Sequence, residues 1–243
     1  MTIQDLHQHQ HDPPRARVSI VERHQLLVDG LEMALRDDGF DVGAVGVEGR
    51  STDDLVEAAL AGHPQLVLLA LDLGAGADGT DLIGPLRTAG ARVLVITGIE
   101  DQARHDRAVA LGAEAVLPKT TPLADIRAAV PRAAEGGELM SPAERAACRR
   151  RDALAAPARE RDLLGLQLLS PRESEVLAAL VDGHSVCEIA THGKVRPSTV
   201  RAQVRAILVK LGVSSQLQAV AVAHRRDWRA PALGDWEATP TSA

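Results

Sequence analysis

Arg201 and Arg205 stand one helical turn apart in the run Pro197 to Leu211, with Ala202 beside them and Ser198 a turn earlier. The same run carries Val200, Val204, Ile207, Leu208 and Leu211 at the spacing of a single apolar stripe. A helix held down by Val, Ile and Leu that turns arginines and a small residue outward suits the DNA major groove. There a guanidinium can read guanine by two hydrogen bonds, and a small side chain permits close approach. Enzymatic chemistry is harder to find. No nucleophile–base pair, phosphate-cradling loop or metal motif is legible, so neither a catalytic residue nor a cofactor is expected. Cys148 and Cys187 form no disulfide framework and no paired-cysteine metal spacing.

The segment that positions these arginines, residues 169–223, reads as four short helices. Ser170, Pro171 and Glu173 combine an N-cap, a first-turn proline and a capping-box acid. Ser185 and Glu188 repeat the box directly after Gly183, and Ser215 with Gln218 offers a third start. Three starts within so short a stretch imply a compact helical domain.

Upstream, strand-like and helix-like pieces alternate. Val18–Val21, Phe40–Val47, Leu66–Leu71, Arg92–Ile96 and Ala115–Leu117 read as strands. Helices are expected around 27–39, 52–61, 81–89 (interrupted by Pro85), 102–111 and 123–134. Five βα units with short loops imply a doubly wound parallel sheet with helices on both faces. In such sheets functional groups gather at the carboxyl ends of the strands. Residues 139–168 read as a helical linker interrupted by Pro142 and Pro157, in which Arg149, Arg150 and Arg151 form a solvated face.

Charge follows the same division. Residues 1–138 carry 12 Lys+Arg against 22 Asp+Glu, whereas residues 169–230 carry 9 against 5. A basic carboxyl-terminal segment behind an acidic one fits a DNA-binding domain joined to a non-binding one. Phe40, Trp228 and Trp236 are the only aromatics, which weighs against readers that stack single-stranded bases. No apolar run is long enough to span a bilayer, and the amino terminus is not signal-like, so a cytoplasmic protein without membrane association is expected. Residues 1–15, with His7, His9 and His11, are expected to be a disordered tail rather than a metal tract, and residues 229–243 a flexible one. Of 27 basic residues only three are Lys, the signature of a GC-rich bacterial genome.

Particular motifs carry a family resemblance. Leu169-Ser170-Pro171-Arg172-Glu173, Glu175-Val176-Leu177, Gly183, Glu188-Ile189-Ala190, Thr199-Val200 and Lys210-Leu211-Gly212-Val213 resemble the LuxR-type helix-turn-helix of NarL/FixJ response regulators. The resemblance implies a DNA-binding domain over 169–228, with Ser185–Thr191 as supporting helix and Pro197–Leu211 as recognition helix. The last helix would make a dimer contact. It implies base-facing roles for Arg201, Ala202 and Arg205. Backbone-positioning roles fall to Ser198, Thr199, Gln203 and Lys210, with Ser185 also at the interface. Arg196 stands where the family usually has a capping Ser or Thr, and Gly193 where it has an apolar core residue, so a looser turn is expected there.

Residues 16–138 resemble the flavodoxin-like receiver domain of the same regulators. A working receiver has two acidic residues after the first strand, an acceptor Asp at the end of the third, and a lysine after the fifth. Here those positions read Glu22-Arg23, Ala70 and Lys119, with Thr97 kept after the fourth strand and Val116 in place of the usual relay aromatic. Glu22, Arg23, Ala70 and Lys119 sum to +1 where the family pattern gives −2, and magnesium demands several oxygen ligands. Alanine offers no nucleophile. Asp72, two residues on, is the one alternative acceptor, and pairing of Lys119 with Glu22 is expected. The resemblance therefore implies an atypical response regulator that acts without aspartate phosphorylation. It would bind an inverted-repeat promoter site in double-stranded DNA as a homodimer, controlled by dimerisation, a small molecule or a protein effector at the receiver domain. The alternatives are a conventional regulator phosphorylated at Asp72, and an adaptor that no longer binds DNA.

Overall fold

A computed structural model describes residues 16–74, 78–225 and 228; both expected tails, 1–15 and 229–243, lie outside the described residues. The chain divides into two compact units, residues 1–154 and 155–243.

The first unit is a five-stranded parallel sheet in the order β2-β1-β3-β4-β5. Its strands are β1 (Arg17–Val21), β2 (Asp41–Val45), β3 (Leu66–Leu69), β4 (Arg92–Thr97) and β5 (Val116–Pro118). Register follows from the apolar runs: Val18 pairs with Val42 on one side and Leu66 on the other, and Val67 pairs with Val93. All four β3 residues are buried, because both faces of the sheet are covered. One face packs Val21, Val67, Leu69, Val93 and Val95 against Leu55, Ala59, Leu82 and Leu86. The other packs Ile20, Leu66, Leu68 and Leu94 against Val28, Leu31, Leu35, Ile126 and Val130. The covering helices are α1 (Gln25–Asp37), α2 (Thr52–Leu60), α3 (Gly79–Thr88), α4 (Gln102–Leu111) and α5 (Leu123–Glu135). Helix α3 begins two residues before the expected start, because the Asp78 carboxylate accepts from the Thr80 amide and caps it there, and it runs through Pro85.

The stretch expected to be an interrupted linker is a single 26-residue helix, α6 (Pro142–Gln167). Pro142 does not interrupt it. It occupies the first turn, where a missing amide costs nothing, and Ser141 with Glu144 caps that turn. The helix also continues through Pro157. Its first part belongs to the sheet unit. Arg145 donates to the carbonyls of Ala113 and Glu114, Arg151 grips Asp106 with two hydrogen bonds of 2.6 Å, and Cys148 is buried. Arg151 is thus an anchor, while Arg149 and Arg150 of the expected solvated face are exposed.

The second unit holds the end of α6 and four further helices: α7 (Pro171–Val181), α8 (Val186–His192), α9 (Pro197–Leu211) and α10 (Gln216–Arg225). Two of the three expected starts are full capping boxes, at Ser170/Glu173 and Ser185/Glu188. At the third, Ser215 accepts from the Gln218 amide, while the Gln218 side chain turns to Ser214. The core joins Val176, Leu177, Leu180, Ile189, Val200, Ile207, Leu211 and Val222, with Leu166 of α6. Fully burying each of these aliphatic side chains contributes about 1.5–3 kcal/mol.

Candidate functional site

Helix α9 lies with Val200, Ile207 and Leu211 buried and Val204 and Leu208 partly so, which leaves its opposite face to solvent. On that face Ser198, Thr199, Arg201, Ala202 and Arg205 are all exposed. The geometry needed to enter a DNA groove is therefore present: one rigid helix, glued by its apolar stripe, offering two cations and a small residue on a common side.

Two further residues expected at this face are placed differently. Lys210 is half-buried and its ammonium lies 2.6 Å from Glu173 Oε2, so its charge is already engaged within the domain. Burial pushes the Glu173 carboxyl up. The Lys210 hydrogen bond, the Ser170 backbone and hydroxyl, and the Lys210 charge outweigh it and hold the carboxyl below the usual range. Gln203 is half-buried, with its Oε1 enclosed. Ser185 is exposed, but its hydroxyl caps α8 by accepting from the Glu188 amide.

The turn from α8 into α9 is not loose. Gly193, Lys194 and Val195 donate in succession to the carbonyls of Ile189, Thr191 and Ala190 at 2.9–3.2 Å. The glycine leaves room for what lies over it. A Cβ at position 193 would collide with the Arg172 guanidinium and come within 3.2 Å of the Ile189 carbonyl. Arg172 thus fills the room that an apolar side chain at 193 would take, and Lys194 closes the turn with a φ of 49°. Arg196 takes the N-cap place without a side-chain cap, as its type predicts, and Pro197 presets the first turn. Arg196 and Lys194 are both exposed, adding two cations beside the helix start.

The second candidate site lies at the carboxyl ends of β1, β3, β4 and β5. Glu22 is buried, and Lys119 Nζ lies 2.5 Å from its Oε2. The expected pair is therefore formed. His24, which sequence reasoning passed over although it follows Glu22-Arg23 directly, completes the cluster. Its amide donates to Glu22 Oε1 at 2.8 Å, and its Nδ1 lies 2.6 Å from the same oxygen and 3.1 Å from Lys119 Nζ. Burial pushes the Glu22 carboxyl up. The hydrogen bonds from Lys119 and His24 and the Lys119 charge outweigh it, and the carboxyl is held below its usual range. Arg23 pairs with Asp72 at 2.9 Å. Thr97 is buried, its hydroxyl accepting from the Ile99 amide at 3.1 Å.

Ala70 is 2% exposed, directly after β3, where its amide still bonds Val21. Asp72 lies beyond the strand, in an isolated bridge to Asp78, and its carboxylate also accepts from the Gly74 amide. Strand alternation therefore does not place it as expected. A receiver of this architecture implies magnesium, and the donor set here does not fit it. The buried Glu22 carboxylate is occupied by an ammonium and an imidazole, and the Asp72 carboxylate is held by a guanidinium. No group of three or more metal-ligating side chains occurs among the described residues.

Comparison with known proteins gives a consistent pattern. Residues 167–223 match the family described as bacterial regulatory proteins, luxR family, and residues 18–131 match the response regulator receiver domain. The chain is 32% identical over 218 residues to the probable transcriptional regulatory protein NarL of Mycobacterium tuberculosis, covering 88% of this chain and 96% of that one. It is 29% identical to the response regulator protein VraR of Staphylococcus epidermidis, with 87% and 97% covered. Among solved structures, that of a two-component response regulator RcsB–DNA complex is similar at 20% identity and a TM-score of 0.46, covering 86% of this chain and 98% of that chain.

Proposed function

The chain belongs to the NarL/FixJ-type response regulators, DNA-binding transcription regulators and not enzymes, and from that premise we propose that it acts without aspartate phosphorylation. One observation carries this reading: the receiver pocket is closed by its own ion pairs. Lys119 and His24 satisfy Glu22, Arg23 satisfies Asp72, and at the acceptor position Ala70 presents a methyl group. A phosphoryl transfer needs a nucleophile and a means of neutralising the developing charge. Ala70 supplies no nucleophile, and the ion-paired carboxylates Glu22 and Asp72 do not suit the magnesium that would bind the phosphoryl oxygens.

DNA is read by α9, with Arg201, Ala202 and Arg205 facing bases and Ser198 and Thr199 positioning the backbone. Two copies of the chain would present two such helices to an inverted repeat, with half-sites about one helical turn apart. Control then comes from dimerisation or from an effector at the receiver domain. Among the described residues no single helix is long and apolar enough to cross a membrane.

Titrating a promoter fragment with the full-length protein, with and without a small phosphodonor and magnesium, tests the reading. Equal affinity in the two titrations is expected. Tighter binding with the phosphodonor that disappears in Asp72→Asn would overturn it.

A further inference from the structure

At the amino-terminal edge of the sheet, away from both sites, four charged side chains meet. Arg87 comes from the last turn of α3, Arg92 opens β4, Arg145 comes from the start of α6, and Glu114 precedes β5. Oxygen Oε1 of Glu114 serves two guanidiniums at once, lying 3.3 Å from Arg87 Nη1 and 3.1 Å from Arg92 Nη1. Its Oε2 is 3.8 Å from Arg145 Nη2, whose guanidinium is committed to the Ala113 and Glu114 carbonyls at 2.8 and 2.7 Å. Three cations thus share one carboxylate, an excess of +2.

The arrangement is built rather than draped. Gly136, at a φ of 85°, caps the end of α5, and a Cβ there would collide with the Arg92 guanidinium. The α5 carboxyl end contributes a partial negative charge of about one half, too little to offset two positive units. The Arg87 and Arg92 side chains are each 36% exposed, so the cluster opens to solvent on one side. Each guanidinium carries five donors, so beyond Glu114, the Ala91 carbonyl that Arg87 reaches and the two carbonyls that Arg145 reaches, donors remain on all three.

We infer that Arg87, Arg92 and Arg145 form a binding site for a small molecule that carries two or more phosphoryl groups. A planar carboxylate offers two oxygens in one plane, whereas guanidiniums arriving from three elements suit the tetrahedral oxygens of a phosphoryl group. A charge of at least −2 matches the excess. A long polyanion such as DNA is disfavoured, because residues 1–138 carry ten more acidic than basic side chains and would repel it. The site is independent of how the receiver pocket and the DNA-binding helix work, since its occupancy is read on the protein alone.

Calorimetric titration of the full-length protein with pyrophosphate tests it, with sodium chloride holding the ionic strength constant and inorganic phosphate as a second arm. Saturable binding is expected, stronger for pyrophosphate than for phosphate and weakened at least about tenfold by Arg87→Gln with Arg92→Gln. Glu114→Gln separates a ligand site from a structural knot. Removing the competing carboxylate should tighten pyrophosphate binding, and pyrophosphate should raise the melting temperature of this variant more than that of the wild type. No saturable binding to the wild type, or binding kept in the double variant, overturns the site. If the double variant does not fold, Glu114→Gln decides alone: unchanged or weaker binding is the contrary result.

Discussion

Glu22 is the buried, ion-paired carboxylate of the receiver pocket, and its energetics can be tested directly. Its side chain is 4% exposed and that of Lys119 20%, so Lys119→Met strands a buried carboxylate and should cost about 3 kcal/mol in urea unfolding. The pH dependence has a definite sign. The folded carboxyl is held below its reference value of 4.5, so its contribution to stability is full above that pH and is lost as pH falls through the lower folded value. Lys119→Met removes the hydrogen bond and charge that lower the carboxyl while burial stays. The carboxyl should therefore rise relative to the wild type and acid unfolding should begin at a higher pH, read as melting temperature against pH. On the other unit, Arg201→Ala or Arg205→Ala should each cost about 1–3 kcal/mol of specific DNA binding where the arginine reads guanine, with little loss on random DNA. Lys210→Ala should behave otherwise. Its ammonium is tied to Glu173, so the variant should lower the melting temperature more than it flattens the salt dependence of DNA binding.

Among the elements, α9 depends on the turn that precedes it. Gly193→Leu forces a side chain into the space of the Arg172 guanidinium and should destabilise the domain by about 1–3 kcal/mol. Thermal melting of the variant measures it. Most elements were legible because their signals are local. The apolar runs at β1, β3 and β4 and the Ser–Glu boxes of α7 and α8 state a period and a boundary within a few residues. What escaped is what long-range contacts decide. Pro157 reads as an interruption, yet α6 passes through it, with Arg145 and Arg151 anchoring its first part and Leu166 its last. That the Arg172 guanidinium, twenty-one positions away, lies over Gly193 is likewise announced by no local pattern.

At the scale of the whole chain, an acidic sheet unit precedes a LuxR-type helical unit with exposed arginines on α9, and the proposed control passes without an aspartyl phosphate. The altered charge count of the pocket was visible in residue types alone, from Ala70 and Arg23. Its ion pairs were not: that His24 shares the Glu22 oxygen and that Asp72 is drawn to Arg23 depends on how the loops after β1 and β3 fold. Intact-mass measurement of the full-length protein after incubation with a small phosphodonor and magnesium tests the central claim most directly. Closure of the pocket predicts an unchanged mass in the wild type and in Asp72→Asn alike. An added phosphoryl group on the wild type that Asp72→Asn abolishes would contradict it.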